Sequence, residues 1–208
     1  PFDAETPANE SLMDLKTVYL LGARRGDRNR RIPALLRSDD GGATWREIAL
    51  PEAGTLPWSI GRATIAFATP EHGMLGLQAP GFRRRGHGRF ENPPGSSASV
   101  LMTDDGGATW RRRTLPNDEY YITALWRDPE DPEHAFAAVH NGFTVMMSGA
   151  RRGPALYETR DGGRNWAVAL RGKMEFESIV GLDSRRVWAV GDRPGTGAMD
   201  VIAILEPE

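Results

Sequence analysis

The sequence predicts an all-β fold made of repeated four-stranded antiparallel units, and three observations lead there. Ser38-Asp39-Asp40-Gly41-Gly42-Ala43-Thr44-Trp45 returns as Thr103-Asp104-Asp105-Gly106-Gly107-Ala108-Thr109-Trp110, and again as Thr159-Arg160-Asp161-Gly162-Gly163-Arg164-Asn165-Trp166. Apolar runs of strand length stand at matching places, with Ile65, Ile122 and Ile179 evenly spaced along the chain. No stretch carries sustained helical periodicity or enough apolar length to cross a membrane as a helix. Recurrence every few tens of residues marks stacked arrays and radial propellers.

The units can be taken in order. Glu10 to Gly22 aligns with Glu177 to Gly191 when a turn two residues longer is allowed in the later copy. The chain then reads as four units, about 10–51, 63–116, 120–172 and 177–206, within one domain or partial propeller over 1–208. Each unit holds four short strands, A to D, rich in Val, Ile, Leu, Ala or aromatic residues and separated by turn residues. In unit two, strand A lies around Ile65 to Ala68, B around Met74 to Gln78, C around Ser99 to Thr103 and D around Trp110 to Leu115. Pro70-Glu71-His72-Gly73 and Pro132-Glu133-His134 fill the same A to B slot, so both histidines read as turn residues. The last unit is incomplete: Asp200 to Leu205 reads as strand C and no strand D follows.

The recurring segment is a self-stabilising turn. Asp40, Asp105 and Asp161 can accept hydrogen bonds from backbone N–H groups one or two residues on, and Gly42, Gly107 and Gly163 permit a positive φ. Ser38, Thr103 and Thr159 can add a hydroxyl bond. Trp45, Trp110 and Trp166 open the next strand, each expected to bury its ring against a neighbouring sheet and to find a partner for its indole N–H. A calcium loop would instead need alternating acidic ligands closed by a Glu after twelve residues, and no such Glu is present. These turns read as scaffold, with no metal and no cofactor expected.

The open edge of the last unit needs cover, because unpaired edges invite pairing with other chains. A strand from Pro1 to Glu10, a second copy of the chain, or further blades could supply it; Pro1 and Pro7 make self-closure weak. The expectation is a piece of a larger propeller or a compact four-blade variant, with self-association as one route to closure.

Composition narrows the function classes. With 208 residues and a net charge of −2 there is no global pull toward nucleic acid or an anionic membrane. There are no cysteines, which excludes disulfides and cysteine-based zinc sites. The first residue is Pro, pointing to a processed or trimmed chain. Only Lys16 and Lys173 are lysines, so arginine carries nearly all the positive charge.

Antiparallel alternation puts the A to B and C to D turns at one end of each unit and the B to C and D to A connections at the other. The B to C connections are arginine-rich: Gly22 to Arg31, Pro80 to Arg89 with Arg83, Arg84 and Arg85, and Asn141 to Gly153 with Arg151 and Arg152. Together they form a face suited to an anionic protein or glycan. The D to A connections approach the axis on that face, bringing Trp58, Arg62, Asp118, Glu119, Tyr120, Tyr121, Glu175 and Glu177 near it. This is a candidate pocket of aromatic, cationic and carboxylate groups.

The turn, read as Ser/Thr-x-Asp-x-Gly-x-Thr/Asn-Trp, resembles the Asp-box or BNR repeat of sialidases, sortilin-type receptors, xyloglucan-cleaving glycosidases and photosystem II assembly factors. That resemblance implies a β-propeller with the box between the third and fourth strands of a blade, and work outside the cytoplasm, in the periplasm or secreted. Ile65 to Gly76, Val100 to Thr103 and Val187 to Asp192 are similar to blades of photosystem II assembly-factor-like propellers. This implies a non-catalytic platform binding a protein or glycan through an arginine-bearing face.

The alternative is a sialidase-like or other glycoside hydrolase acting on extracellular glycans. Arg31-Ile32-Pro33 resembles part of the sialidase Phe/Tyr-Arg-Ile-Pro signature, but it runs straight into the first box, and Arg30 stands where the aromatic belongs. A nucleophile pair would have to come from Tyr120 or Tyr121 with Glu119 or Glu177. General glycosidase chemistry needs two carboxyl groups about 5 to 10 Å apart, for which Asp118, Glu119, Glu175 and Glu177 are the candidates.

Overall fold

The computed structural model describes residues 9–12, 16–25, 31–51, 64–77, 83–84, 90–91, 97–116, 121–140, 155–172, 175–183, 185–192 and 199–205. Every regular element among them is a strand, and there is no helix. Sheet 1 runs β1 (Asn9–Leu12), β2 (Val18–Arg25), β3 (Arg31–Ser38), β4 (Arg46–Ile48). Sheet 2 begins with β5 (Ile65–Phe67) and β6 (Gly73–Leu77). A small ribbon, β7 (Arg83–Arg84) and β8 (Phe90–Glu91), intervenes before β9 (Ser99–Thr103) and β10 (Arg111–Thr114) complete the sheet. Sheet 3 is β11 (Tyr121–Arg127), β12 (Ala135–His140), β13 (Ala155–Thr159), β14 (Ala167–Arg171). Sheet 4 has three strands, β15 (Glu175–Asp183), β16 (Arg186–Asp192) and β17 (Met199–Leu205). Each of the four is an antiparallel meander in chain order.

The sheets stack in series. Tyr19, Leu21, Leu35 and Ile48 of sheet 1 pack on Ile65, Phe67, Leu75, Leu77 and Leu101 of sheet 2. Met74, Val100, Met102 and Leu115 of sheet 2 meet Leu125, Ala137, Val139 and Tyr157 of sheet 3. Trp126, Phe136 and Leu156 of sheet 3 meet Phe176, Ile179, Val187 and Ala189 of sheet 4. Sheet 2 is covered on both faces, which is why β6 and β9 are buried along their whole length instead of alternating. The first strands of successive sheets lie against one another: β1 packs on β5, β5 and β6 on β11, and β11 and β12 on β15.

Polar groups also cross the boundaries. Tyr19 and Phe67 stack with centroids 3.5 Å apart and planes 5° apart. The Tyr19 hydroxyl donates to the Pro70 carbonyl at 2.7 Å and accepts from Arg37 Nη1 at 2.6 Å. His134, an expected turn residue, is buried at the start of β12. Its Nδ1 lies 3.0 Å from Asp128 Oδ2 and its Nε2 3.1 Å from Glu158 Oε1.

Four expectations are corrected. The evenly spaced isoleucines are not equivalent: Ile65 faces Leu75, Leu125 faces Ala137 and Ile179 faces Ala189, so Leu125 holds the position expected of Ile122. A β-bulge after Ile122 adds one residue to β11 and accounts for part of this three-residue offset. Glu10 pairs with Leu20 in the register at which Ile179 pairs with Ala189, so it is not the counterpart of Glu177. The Gly22 to Arg31 connection is shorter than expected, since β2 continues through Arg25 and pairs with β3 from Arg31 onward. Finally, the indole N–H groups of Trp110 and Trp166 are buried without a hydrogen-bond partner among the described residues; only Trp45 has one, the Gly42 carbonyl at 2.9 Å.

Candidate binding face and the turns opposite it

The three Asp-Gly turns share one hydrogen-bond pattern. Ser38 Oγ donates to Asp40 Oδ1 at 2.7 Å and accepts from the Gly42 N–H at 2.8 Å. Asp40 then accepts the Thr44 N–H at 2.8 Å and the Thr44 hydroxyl at 2.6 Å. Asp105 does the same with Thr109, and Asp161 with the Asn165 N–H and side-chain amide. The carboxylate therefore reaches four residues on, not one or two, and closes the loop beyond both glycines. Those glycines take positive φ, 67° and 92° at Gly106 and Gly107, a region L side chains rarely adopt.

All three carboxyls are held down to about 2 from an ordinary 3.8. The Thr44 hydroxyl leads at Asp40, the Thr109 hydroxyl at Asp105 and the Asn165 backbone N–H at Asp161. Carboxylates held ionised in this way are poor proton donors. Among the described residues no group of three or more His, Asp or Glu side chains is arranged to hold a metal ion.

One further bond fixes the geometry of the ends. The N–H groups of Gly41, Gly106 and Gly162 donate to the carbonyls of Lys16, Glu71 and Glu133 at 2.8, 2.8 and 2.9 Å. Each Asp-Gly turn is thereby clamped to the first turn of its own sheet, and both occupy one end. The antiparallel order then places the β2–β3, β6–β9 and β12–β13 connections at the other end.

Arg24 and Arg25 end β2 and Arg31 opens β3 at that opposite end, with Arg83 and Arg84 on the ribbon inserted between β6 and β9. Arg24 is exposed and its Nε lies 3.3 Å from Glu47 Oε1. Tyr121 opens β11 opposite His140, and Glu175 opens β15 opposite Asp192, so the first strands of sheets 3 and 4 start at the same end. Glu177 is exposed at a β-bulge of β15. The remaining candidates, Trp58, Arg62, Arg85, Asp118, Glu119, Tyr120, Arg151 and Arg152, lie outside the described residues.

Two groups were not legible in the sequence. Thr123 occupies the bulge of β11 and Asp192 ends β16, and Thr123 Oγ1 and Asp192 Oδ1 are buried with no hydrogen-bond partner among the described residues. Both sit toward the arginine-bearing end. A bulge leaves no compositional mark, so neither residue stood out in the sequence.

No protein-family model matches the chain, and no curated protein matches it. Solved structures do resemble it. A protein of unknown function from Dyadobacter fermentans is 18% identical with a TM-score of 0.52, the match covering 94% of this chain and 52% of that one. The phage phi92 endosialidase is 11% identical with a TM-score of 0.53, covering 98% of this chain and 36% of that one. YCF48 from Cyanidioschyzon merolae is 18% identical with a TM-score of 0.49, covering 98% and 58%. The chain spans about half the length of the first structures it matches. At these identities the likeness concerns the fold alone: serial antiparallel sheets of the propeller kind.

Proposed function

We propose that this chain builds Asp-box blades of a β-propeller, and that it serves as a non-catalytic platform binding an anionic protein or glycan through its arginine-bearing end. The observation that supports this most is topological. The clamped Asp-Gly turns occupy one end, and the antiparallel order leaves Arg24, Arg25, Arg31, Arg83 and Arg84 at the other. Cations gathered on one rim raise the local concentration of an anionic partner and speed its capture. A platform of this kind fits work in the periplasm or outside the cell, without a cofactor. Immobilised heparin, a sulfated glycan, is a direct probe. The protein should be retained and released by salt, and replacing Arg83, Arg84 and Arg85 with Ser should lower the eluting salt concentration. Unchanged elution of the triple variant overturns the reading.

Glycoside hydrolysis is the second reading, favoured by Glu177 standing exposed on the first strand of sheet 4 at the same end. Turnover of a model glycoside by the wild type, abolished in Glu177→Gln, would select it over the platform.

A further inference from the structure

Among the described residues two faces of the stack are left open, and they are complementary by construction. In each internal stack a leading face of one sheet receives the trailing face of the sheet before it. The leading face of sheet 2 presents Leu75, Leu101 and Trp110, and that of sheet 3 presents Ala137, Tyr157 and Trp166. Leu75, Leu101, Ala137 and Tyr157 are fully buried or nearly so. Register assigns Leu20, Leu36 and Trp45 to the same positions on sheet 1. Val18 stands opposite Ser38 as Gly73 stands opposite Thr103 and Ala135 opposite Thr159. Leu20 and Leu36 are only half-buried, and Trp45 is 42% exposed.

The turn glycines repeat the contrast. A Cβ added at Gly107 would meet Ile48 of sheet 1 at 2.7 Å, and one at Gly163 would meet Met102 of sheet 2 at 2.7 Å. At Gly42 the only neighbour among the described residues is the ring of Trp45 itself, at 3.6 Å. The position that a preceding sheet occupies twice within the chain is therefore open beside sheet 1 among the described residues.

At the other end of the series the trailing face of sheet 4 is open. Trp188 holds the register of Phe136 and Met74, both fully buried, yet is only half-buried itself. Val180 faces Trp188 as Trp126 faces Phe136, and it is 50% exposed against 8% for Trp126; Leu182 beside it is 64% exposed. Sheet 4 also has three strands where its neighbours have four, leaving β17 as an unpaired edge among the described residues.

We propose that the trailing face of sheet 4 docks on the leading face of sheet 1 of a second copy, continuing across chains the stack that each chain makes internally. Leu20, Leu36 and Trp45 would receive Val180, Leu182 and Trp188. The occupant is specified by continuity: the same register positions, with the same apolar character, pair three times between the four sheets and are left unpaired, among the described residues, on the outer face of sheet 1 and of sheet 4. Such a contact is heterologous, joining two different patches, and two such contacts close a ring.

Size-exclusion chromatography with light scattering tests this on the whole chain. At tens of micromolar the wild type should have at least twice the monomer mass. Trp45→Arg spoils only the leading face and Val180→Arg only the trailing face, both at exposed positions, so each variant alone should be monomeric with a cooperative melt retained. Mixed in equal amounts they still hold one intact face of each kind, and should form a one-to-one pair of twice the monomer mass. A monomeric wild type, cover by some other partner included, overturns the proposal. So does self-association that survives in either variant, or a mixture that stays monomeric. Leu182→Arg repeats the trailing-face test should Val180→Arg fail to fold.

Discussion

Arg127 reaches from sheet 3 into sheet 2 and sets its guanidinium 2.5 Å from Oδ1 of Asp104. Its side chain is wholly buried while that of Asp104 is one-third exposed. The same guanidinium donates to the carbonyls of Gly73 at 3.2 Å, Thr103 at 2.7 Å and Pro132 at 2.9 Å. Burial pulls the Arg127 pKa down. At Asp104 burial pushes the other way, but bonds from Arg111 and Arg127 override it and hold the carboxyl low. A buried cation saturated by one carboxylate and three carbonyls is a staple between sheets.

Asp104→Ala should therefore destabilise the protein by about 3 kcal/mol, near the lower bound for stranding a buried charge because three carbonyl acceptors remain. Arg111, the exposed partner of the same carboxylate, should cost less than about 1 kcal/mol when replaced by Ala. Urea denaturation of the two variants gives the ranking, and equal losses would contradict it.

The turn carboxylates make stability acid-sensitive. Asp40, Asp105 and Asp161 sit near 2 in the folded protein against an ordinary 3.8, so the unfolded chain binds protons first as pH falls. Their contribution is complete above about pH 5 and is lost as pH drops through about 4 toward 2. Urea midpoints measured from pH 6 to pH 2 should fall over that window. The triple Asp→Asn variant should show a shallower fall.

Tyr19 sets a limit at the alkaline side. Burial pushes its phenol up to about 12 despite the neighbouring Arg37 cation, so the folded state keeps a proton that the unfolded state releases near 10. The stability tied to the neutral phenol is complete below about pH 10 and is lost as pH rises toward 12. Ultraviolet titration at the phenolate band should lose a late-titrating component when Tyr19 is replaced by Phe.

Gly107 and Gly42 share a backbone conformation, with φ of 92° and 93°, but not their surroundings. Gly42→Ala carries only the strain of the left-handed region, about 1 kcal/mol. Gly107→Ala adds a clash with Ile48 and should cost at least about 1 kcal/mol more. Thermal melts of the two variants measure the difference, which reports the sheet stacked against one turn and missing from the other.

The Asp-Gly turns were legible because their chemistry is local: a hydroxyl, a carboxylate, two glycines and a Trp within eight residues set the bonds whatever surrounds them. Strand positions in unit two were legible for the same reason, and β9 falls on Ser99–Thr103 as expected. The register of the first strands was not. The bulges in β11 and β15 shift alignment without changing composition, so evenly spaced isoleucines suggested an equivalence that pairing denies. The site was legible only as an end of the molecule: alternation assigns arginines to a rim, while the buried oxygens of Thr123 and Asp192 emerge only once strands are paired.

By itself, the sequence determined strand content, the turns and their polarity, because each depends on residues adjacent in the chain. Which turn is covered, which tryptophan is buried and which faces stay open were decided by the order of sheets in space. Burial belongs to a residue and its distant neighbour together: Trp45 and Trp110 occupy near-identical segments, yet among the described residues only the latter has a sheet in front of it.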